Sequence, residues 1–360
     1  MAIDLTRRTL LGFAGGALAS AVLPAQASAG ERIYSAATDH QGRHFLCCWA
    51  QGELRFQVPS PGRGHDVIMH RASNSVVFFA RRPGRWMLVL DANSGAVKAQ
   101  IKAATGRHFY GHGTFVSNGR YLLTAENDYA NGGVGIIGIY DTLDNFKRLD
   151  QMHSGGVGPH QLVTLPDDHT VAVANGGILT LPDSDRDMLN LDTMQPSLCY
   201  LDSRNAMLLD EYRPPHHQLS LRHLDVDATG EVTIGAQFEG PAEFVQPLLF
   251  RHRGEDQLQP LDAEVPVWQS HAQYIASVAC ADNTVVATSP RGNCISIWKN
   301  GAFHALEKLN DVAGAAFNFQ TRQFVTSNGR GQLVALEKNQ MRLQGRAKGL
   351  KWDNHMDIAT

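Results

Sequence analysis

Five histidines recur at a spacing that limits what this chain can fold into. His65, His112, His160, His223 and His355 are separated by 47, 48, 63 and 132 residues, and each stands at the start of a repeated strand pattern. In each copy a short apolar strand turns at a polar pair, a second strand follows, and a third often ends in Asp. The first copy is Gly64–Ile68, a turn at Ser73-Asn74, Val76–Ala80 and Met87–Asp91; the second is Gly111–Phe115, a turn at Asn118-Gly119, Tyr121–Ala125 and Gly135–Asp141. Pro159–Leu162, Asp167-Asp168, Thr170–Ala174 and Ser197–Asp202 make the third, and Arg222–Leu224, Thr229-Gly230 and Val232–Ala236 the fourth. Two copies without the histidine follow, Tyr274–Cys280 with Thr284–Thr288 and Ala313–Phe319 with Gln323–Thr326. A fixed period of this length belongs to propellers and solenoids, in which each repeat is one supersecondary unit.

The ends of the chain complete the count. Asn354–Ile358 is an inner strand with no blade of its own, and Tyr34–Val58 supplies outer strands with no inner one. Joined, they make a seventh blade and remove the open sheet edges. The 63-residue step contains an insertion after Asn175-Gly176-Gly177, and the 132-residue step is three ordinary steps. The sequence therefore predicts an all-β, seven-bladed β-propeller over residues 30–360. A two-domain sandwich would not require complementary ends.

Ahead of the propeller, Thr6-Arg7-Arg8-Thr9 precedes a Gly/Ala-rich apolar run, and Ala27-Ser28-Ala29 has the small residues of a cleavage site. Residues 1–29 thus resemble a twin-arginine signal peptide, which predicts a periplasmic product. The apolar run is shorter than the roughly 20 residues a membrane span needs, and no other segment spans. With 32 Lys+Arg against 35 Asp+Glu there is no cationic surplus for nucleic acid. Five cysteines without a C-x-x-C-H element exclude covalently attached haem c, and buried free thiols at Cys280 and Cys294 are expected. Gly132–Gly135 lacks the helix and spacing of a phosphate loop, so no nucleotide is expected.

In a propeller the inner strands line the central channel. Their starts share a face with the loops between second and third strands. The five histidines should therefore ring one mouth, surrounded by Arg81, Glu126, Asn127, Asp128, Asn175, Gln237, Glu239, Arg291 and Asn293. Convergent imidazoles suit iron, copper or zinc. Glu126, Asp128 and Glu239 could ligate or orient, and Arg81 and Arg291 could hold an anionic ligand. Two other readings stay open: histidines that hold the blades by hydrogen bonds, as in WD-type repeats, or polar groups for an organic ligand. His271 is either a sixth member or a loop residue, and His216-His217 read as solvated surface. Asp91, Asp141 and Asp202 read as turn formers.

Gly106–Gly113, Glu126–Tyr129, Asn190–Leu198 and Thr288–Asn293 resemble an uncharacterised family of twin-arginine-exported bacterial proteins. Its propeller is similar to YVTN-type and quinoprotein-amine-dehydrogenase-like domains. The resemblance spans nearly the whole exported chain and implies an association with periplasmic iron-uptake systems that include imelysin-like proteins. Gly156–His160 is also similar to a lactonase segment, without that pattern's arginine. The function expected is a ligand-binding propeller holding a transition metal or metal chelate. The alternatives are a lactonase-like hydrolase or metal oxidoreductase at the same mouth, and a protein-interaction scaffold with structural histidines.

Overall fold

A computed structural model describes residues 30–184, 187–337 and 340–359. The leader read over residues 1–29 lies outside the described residues. The chain forms seven four-stranded antiparallel sheets, each ordered from an inner strand to an outer one. The inner strands are Gly64–His70, Arg107–Val116, Pro159–Thr164, Leu219–Val226, Ser277–Ala281, Val312–Asn318 and Leu350–Ala359, numbered here as blades one to seven. This is the seven-bladed β-propeller that the repeat predicts.

Burial differs by position in the blade. Second strands such as Ser75–Ala80 are buried at every residue, because neighbouring blades cover both faces. Outer strands such as Val97–Lys102 bury only one or two side chains and leave the rest in solvent. The core consequently lies between blades: Val77, Phe79, Met87 and Val89 of blade one pack on Phe109, Leu122 and Tyr140 of blade two. Turns sit where the polar pairs predict them. Asn118 and Gly119 both have positive φ, 54° and 80°, a conformation that Asn and Gly adopt at least cost. Asp91, Asp141 and Asp202 each accept backbone N–H groups two or three residues on, as turn formers do.

Blade seven closes the ring from both ends of the chain. Inner strand Leu350–Ala359 pairs with Arg32–Asp39, in a register that sets Ile33 against Ile358 and Ser35 against Met356. The Ser35 hydroxyl donates to the His355 carbonyl at 2.7 Å. His44–Ala50 and Glu53–Pro59 complete that blade. The predicted insertion lies between the second and third strands of blade three, and Asn190 ties its later part back to its start. Its amide donates to the Gly177 carbonyl, and its oxygen accepts the Leu179 N–H. All five cysteines are buried free thiols, and burial pushes the Cys47 thiol up to about 12. No helix of the described residues is long and apolar enough to cross a membrane.

Candidate functional site

Irregularities in the inner strands build the site. A regular strand would send successive side chains to opposite faces. In blades one, two, three, four and seven the pairing of the inner strand shifts register at or beside the histidine. The shifts lie between Gly64 and Val67, Phe109 and Gly113, Pro159 and Leu162, and Leu221 and His223, and opposite Ser35–Ala37 for blade seven. Such bulges re-aim side chains. His65 and Asp66 both reach the channel, as do Arg222 and His223. Of the two inner strands without such a histidine, that of blade five pairs without a shift and that of blade six shifts between Val312 and Gly314.

The five imidazoles form one compact cluster. Ring centroids of His65 and His112 lie 4.8 Å apart, His65 and His355 4.7 Å, and His112 and His160 4.7 Å. His160 and His223 lie 4.9 Å apart, and His223 and His355 5.0 Å. One ring nitrogen from each of His65, His112 and His355 falls within 4.8 Å of the others, and the same holds for His112, His160 and His223. Ligand nitrogens around one tetrahedral zinc would be about 3.3–3.4 Å apart at Zn–N distances of 2.0–2.1 Å, so the rings would draw in on binding. The His112 Nδ1–H donates to Asp66 Oδ2 at 2.8 Å, so only Nε2 remains to serve either triad. With one nitrogen shared between both groups, the cluster fits one ion rather than two.

The electrostatics suit a metal. Burial, and then the charge of neighbouring imidazoles, holds His65, His160 and His223 well below the ordinary histidine range, and His355 down to about 3. They are neutral at physiological pH, the form that ligates. Burial alone would raise the Asp66 carboxyl, but the adjoining His112 and its hydrogen bond outweigh it and hold Asp66 below the ordinary carboxylate range. One buried ring nitrogen of each histidine has no hydrogen-bond partner among the described residues: Nδ1 of His65, His160 and His223, and Nε2 of His112 and His355. Each such orphan costs about 1–3 kcal/mol.

The cluster divides the channel rather than ringing its mouth. On one side lies a cavity of about 230 Å³ whose lining includes His65, His160, His223, Arg81, Gln237, Glu239 and Arg291. On the other lies one of about 270 Å³, lined by the continuing inner strands with Asp225, His355 and Asp357. Of the residues expected around the mouth, the structure thus brings Arg81, Gln237, Glu239 and Arg291 to the first cavity.

It does not bring the others there. Tyr121–Asp128 is strand to its end, so Glu126 and Asn127 are not loop residues. Glu126 is fully buried within blade two. It accepts from Thr124 and the Tyr140 hydroxyl at 2.9 and 2.8 Å and lies 3.4 Å from Arg148. Asp128 pairs with Arg107 at 3.1 Å. Asn127 donates to the Thr180 carbonyl and thereby holds the insertion. Asn175 donates to the Ser154 carbonyl, and Asn293 accepts the Asp311 N–H in a turn. His271 is buried in blade five, with one ring nitrogen 2.8 Å from the Val267 carbonyl and the other 2.8 Å from the Ser296 hydroxyl. His217 is exposed, while His216 is half-buried against Phe238.

Three residues the sequence reading passed over matter here. Asp66 orients His112. Asp353 lies 3.5 Å from His65 Nδ1 and binds Arg63 at 2.5 Å. Arg222 is 7% exposed and lines the first cavity beside His223. Asp66 and Arg222 adjoin a repeat histidine in the sequence and Asp353 stands two residues before one, and the bulges explain why such neighbours share one destination.

A family model described as a protein of unknown function (DUF1513) matches residues 58–359, nearly all of the propeller. No curated protein matches the chain.

Proposed function

The chain belongs to the DUF1513 family, whose function is unknown, and on that footing we propose that it holds one transition-metal ion, iron, copper or zinc, in the histidine cluster of its channel. One observation carries this reading: five imidazoles converge, four of them buried and His160 partly so, and each keeps a buried ring nitrogen without a hydrogen-bond partner among the described residues. Histidines that hold blades together would bond to the backbone or to neighbouring side chains, as His271 does. Of the five, His112 alone makes such a bond among the described residues, and its acceptor is a carboxylate of the kind that fixes the tautomer of a ligating imidazole.

An all-imidazole set favours borderline transition ions over magnesium or calcium. His65, His160 and His223 also face the first cavity, so a bound ion would keep a side open to a small ligand. The leader over residues 1–29 and the likeness to iron-uptake-associated propellers support a periplasmic protein accessory to iron acquisition. Titrating chelator-stripped protein with Zn²⁺, Cu²⁺ and, anaerobically, Fe²⁺ tests the reading. One saturable site should appear and be lost in a still-folded His112→Ala variant. Binding that survives this variant unchanged would refute it.

A further inference from the structure

Beyond the histidines the channel turns acidic. Past its bulge the inner strand of blade four is regular again, with His223, Leu224 and Asp225 pairing in turn with Gly235, Ile234 and Thr233. Alternation then sets Asp225 on the face of His223, one rung or about 6.7 Å further along the channel. On blade seven Asp357 likewise stands two residues after His355, and both line the second cavity together with Asp225 and Asp66. Blades five and six bring no histidine to this level, and small side chains such as Ser277 and Ala315 leave the space open. Phe319 lines the same cavity and is 70% exposed, so the cavity reaches the surface. Among the described residues no lysine or arginine lines it.

Resting on the metal reading above, we propose that the second cavity is the path by which the metal ion enters the cluster: Asp225 and Asp357 draw the cation in from solvent, and Asp66 and His355 stand where it arrives. Asp225 accepts the Val226 N–H on Oδ1 at 2.9 Å and the Cys280 N–H on Oδ2 at 2.7 Å, so both oxygens act as acceptors, the pattern of an ionised carboxylate. Burial pushes it up to about 6, still below neutral pH. Asp357 Oδ2 accepts the Met69 N–H at 2.6 Å. Neither carboxylate is ion-paired with lysine or arginine among the described residues, and Arg71 reaches Asp357 only from beyond that distance. These backbone bonds brace blade four to blade five and blade seven to blade one, and they hold the two charges at fixed places along the path. A cleft lined by one sign of charge and walled by apolar groups, here Val226 and Val278 among others, focuses the field and raises association rates by about 10–10³-fold. At its inner end wait His355, with Nε2 unpartnered, and Asp66, bonded to His112.

Rapid mixing of chelator-stripped full-length protein with Zn²⁺ at neutral pH, quenched by a chromophoric chelator that counts the zinc still free, gives the association rate, and equilibrium titration gives the affinity. Asp225→Asn combined with Asp357→Asn removes both charges and keeps the shape. Its association rate should fall about tenfold, with a smaller loss of affinity, because neither residue ligates. Asp225→Glu, which keeps the charge, should stay near the wild-type rate. Glu239→Gln, which removes a carboxylate from the first cavity, should leave the rate unchanged. Because the Asn variants could lose their braces and fail to fold, the wild-type rate is also read against salt, and it should fall about threefold as KCl rises from about 0.05 to 0.3 M. The proposal is overturned if the folded double variant takes up zinc at the wild-type rate, if Glu239→Gln slows uptake and the double variant does not, or if the wild-type rate is flat or rises with salt. Each of those results would defeat the path alone, whereas wild-type protein without a saturable zinc site would defeat the metal reading and the path with it.

Discussion

Removing Asp66 should weaken metal binding through a residue that ligates nothing. Its Oδ2 lies 2.8 Å from His112 Nδ1, with His112 fully buried and Asp66 nearly so. The bond keeps the proton on Nδ1 and presents the Nε2 lone pair to the cluster. Carboxylates of this kind contribute about 10–100-fold in metal affinity, or about 1.4–2.8 kcal/mol. Asp66→Ala should therefore lose affinity across that range. Asp66→Asn, which can still accept a weaker neutral hydrogen bond, should fall nearer tenfold. Without metal, Asp66→Ala also leaves His112 Nδ1 buried and unpaired, at a cost of about 1–3 kcal/mol in stability. Competition titration of Zn²⁺ against a chromophoric chelator, well below the melting temperature of every variant, reads the affinity. Wild-type affinity in folded Asp66→Ala, with His112→Ala unable to bind, would refute the orienting role.

Stability of the metal-free protein should drop steeply with acid. Burial, then neighbouring charge, keeps four cluster histidines neutral in the folded state, His355 down to about 3, whereas the unfolded chain protonates them below about pH 6.5. Their folded values are depressed, so the stability they permit is complete above pH 6.5 and is lost as pH falls towards the folded values. Four extra protons on the unfolded chain give a slope approaching about 5 kcal/mol per pH unit near pH 5; urea midpoints that stay level from pH 7 to 4.5 would contradict it. Gly111→Ala should damage the site directly. Gly111 has φ +108°, and an added Cβ would come within 2.6 Å of the His65 ring, so zinc affinity should fall more than for Ala at the exposed Gly132, measured by the same competition. Deleting residues 350–360 removes the inner strand of blade seven and bares the edge of Arg32–Asp39. The truncated chain should lose its cooperative thermal transition, and a transition kept at the wild-type temperature would show that closure contributes little.

The blade count and its closure were legible because they depend on local features that recur: turn pairs at fixed offsets, apolar second strands, and incomplete halves at the two ends. The positions of the five histidines were legible for the same reason. Their depth was not. Strand alternation sends Asp66 and His65 to opposite faces, and only the bulge between Gly64 and Val67 turns both inwards. Bulges depend on the partner strand, which the sequence of one strand does not reveal. Glu126 was misplaced for a related reason. Its strand runs three residues further than the turn-based reading allowed, to Asp128, and its cationic neighbours come from other strands of blade two, Arg107 from the inner strand beside its own and Arg148 from the outer strand two places away. Arg222 was hidden by the same bulging that aims His223.

Metal content and ligand type measured together test the central claim most directly. Protein expressed from the full sequence and purified without an affinity tag would be assayed by elemental analysis and X-ray absorption at the edge of whichever metal is found. The account predicts about one ion per chain, with at least three imidazole nitrogens at about 2.0–2.1 Å if the ion is zinc. Folded protein that carries no metal and takes none up when iron, copper or zinc is supplied would contradict it, as would an ion held by ligands other than histidine.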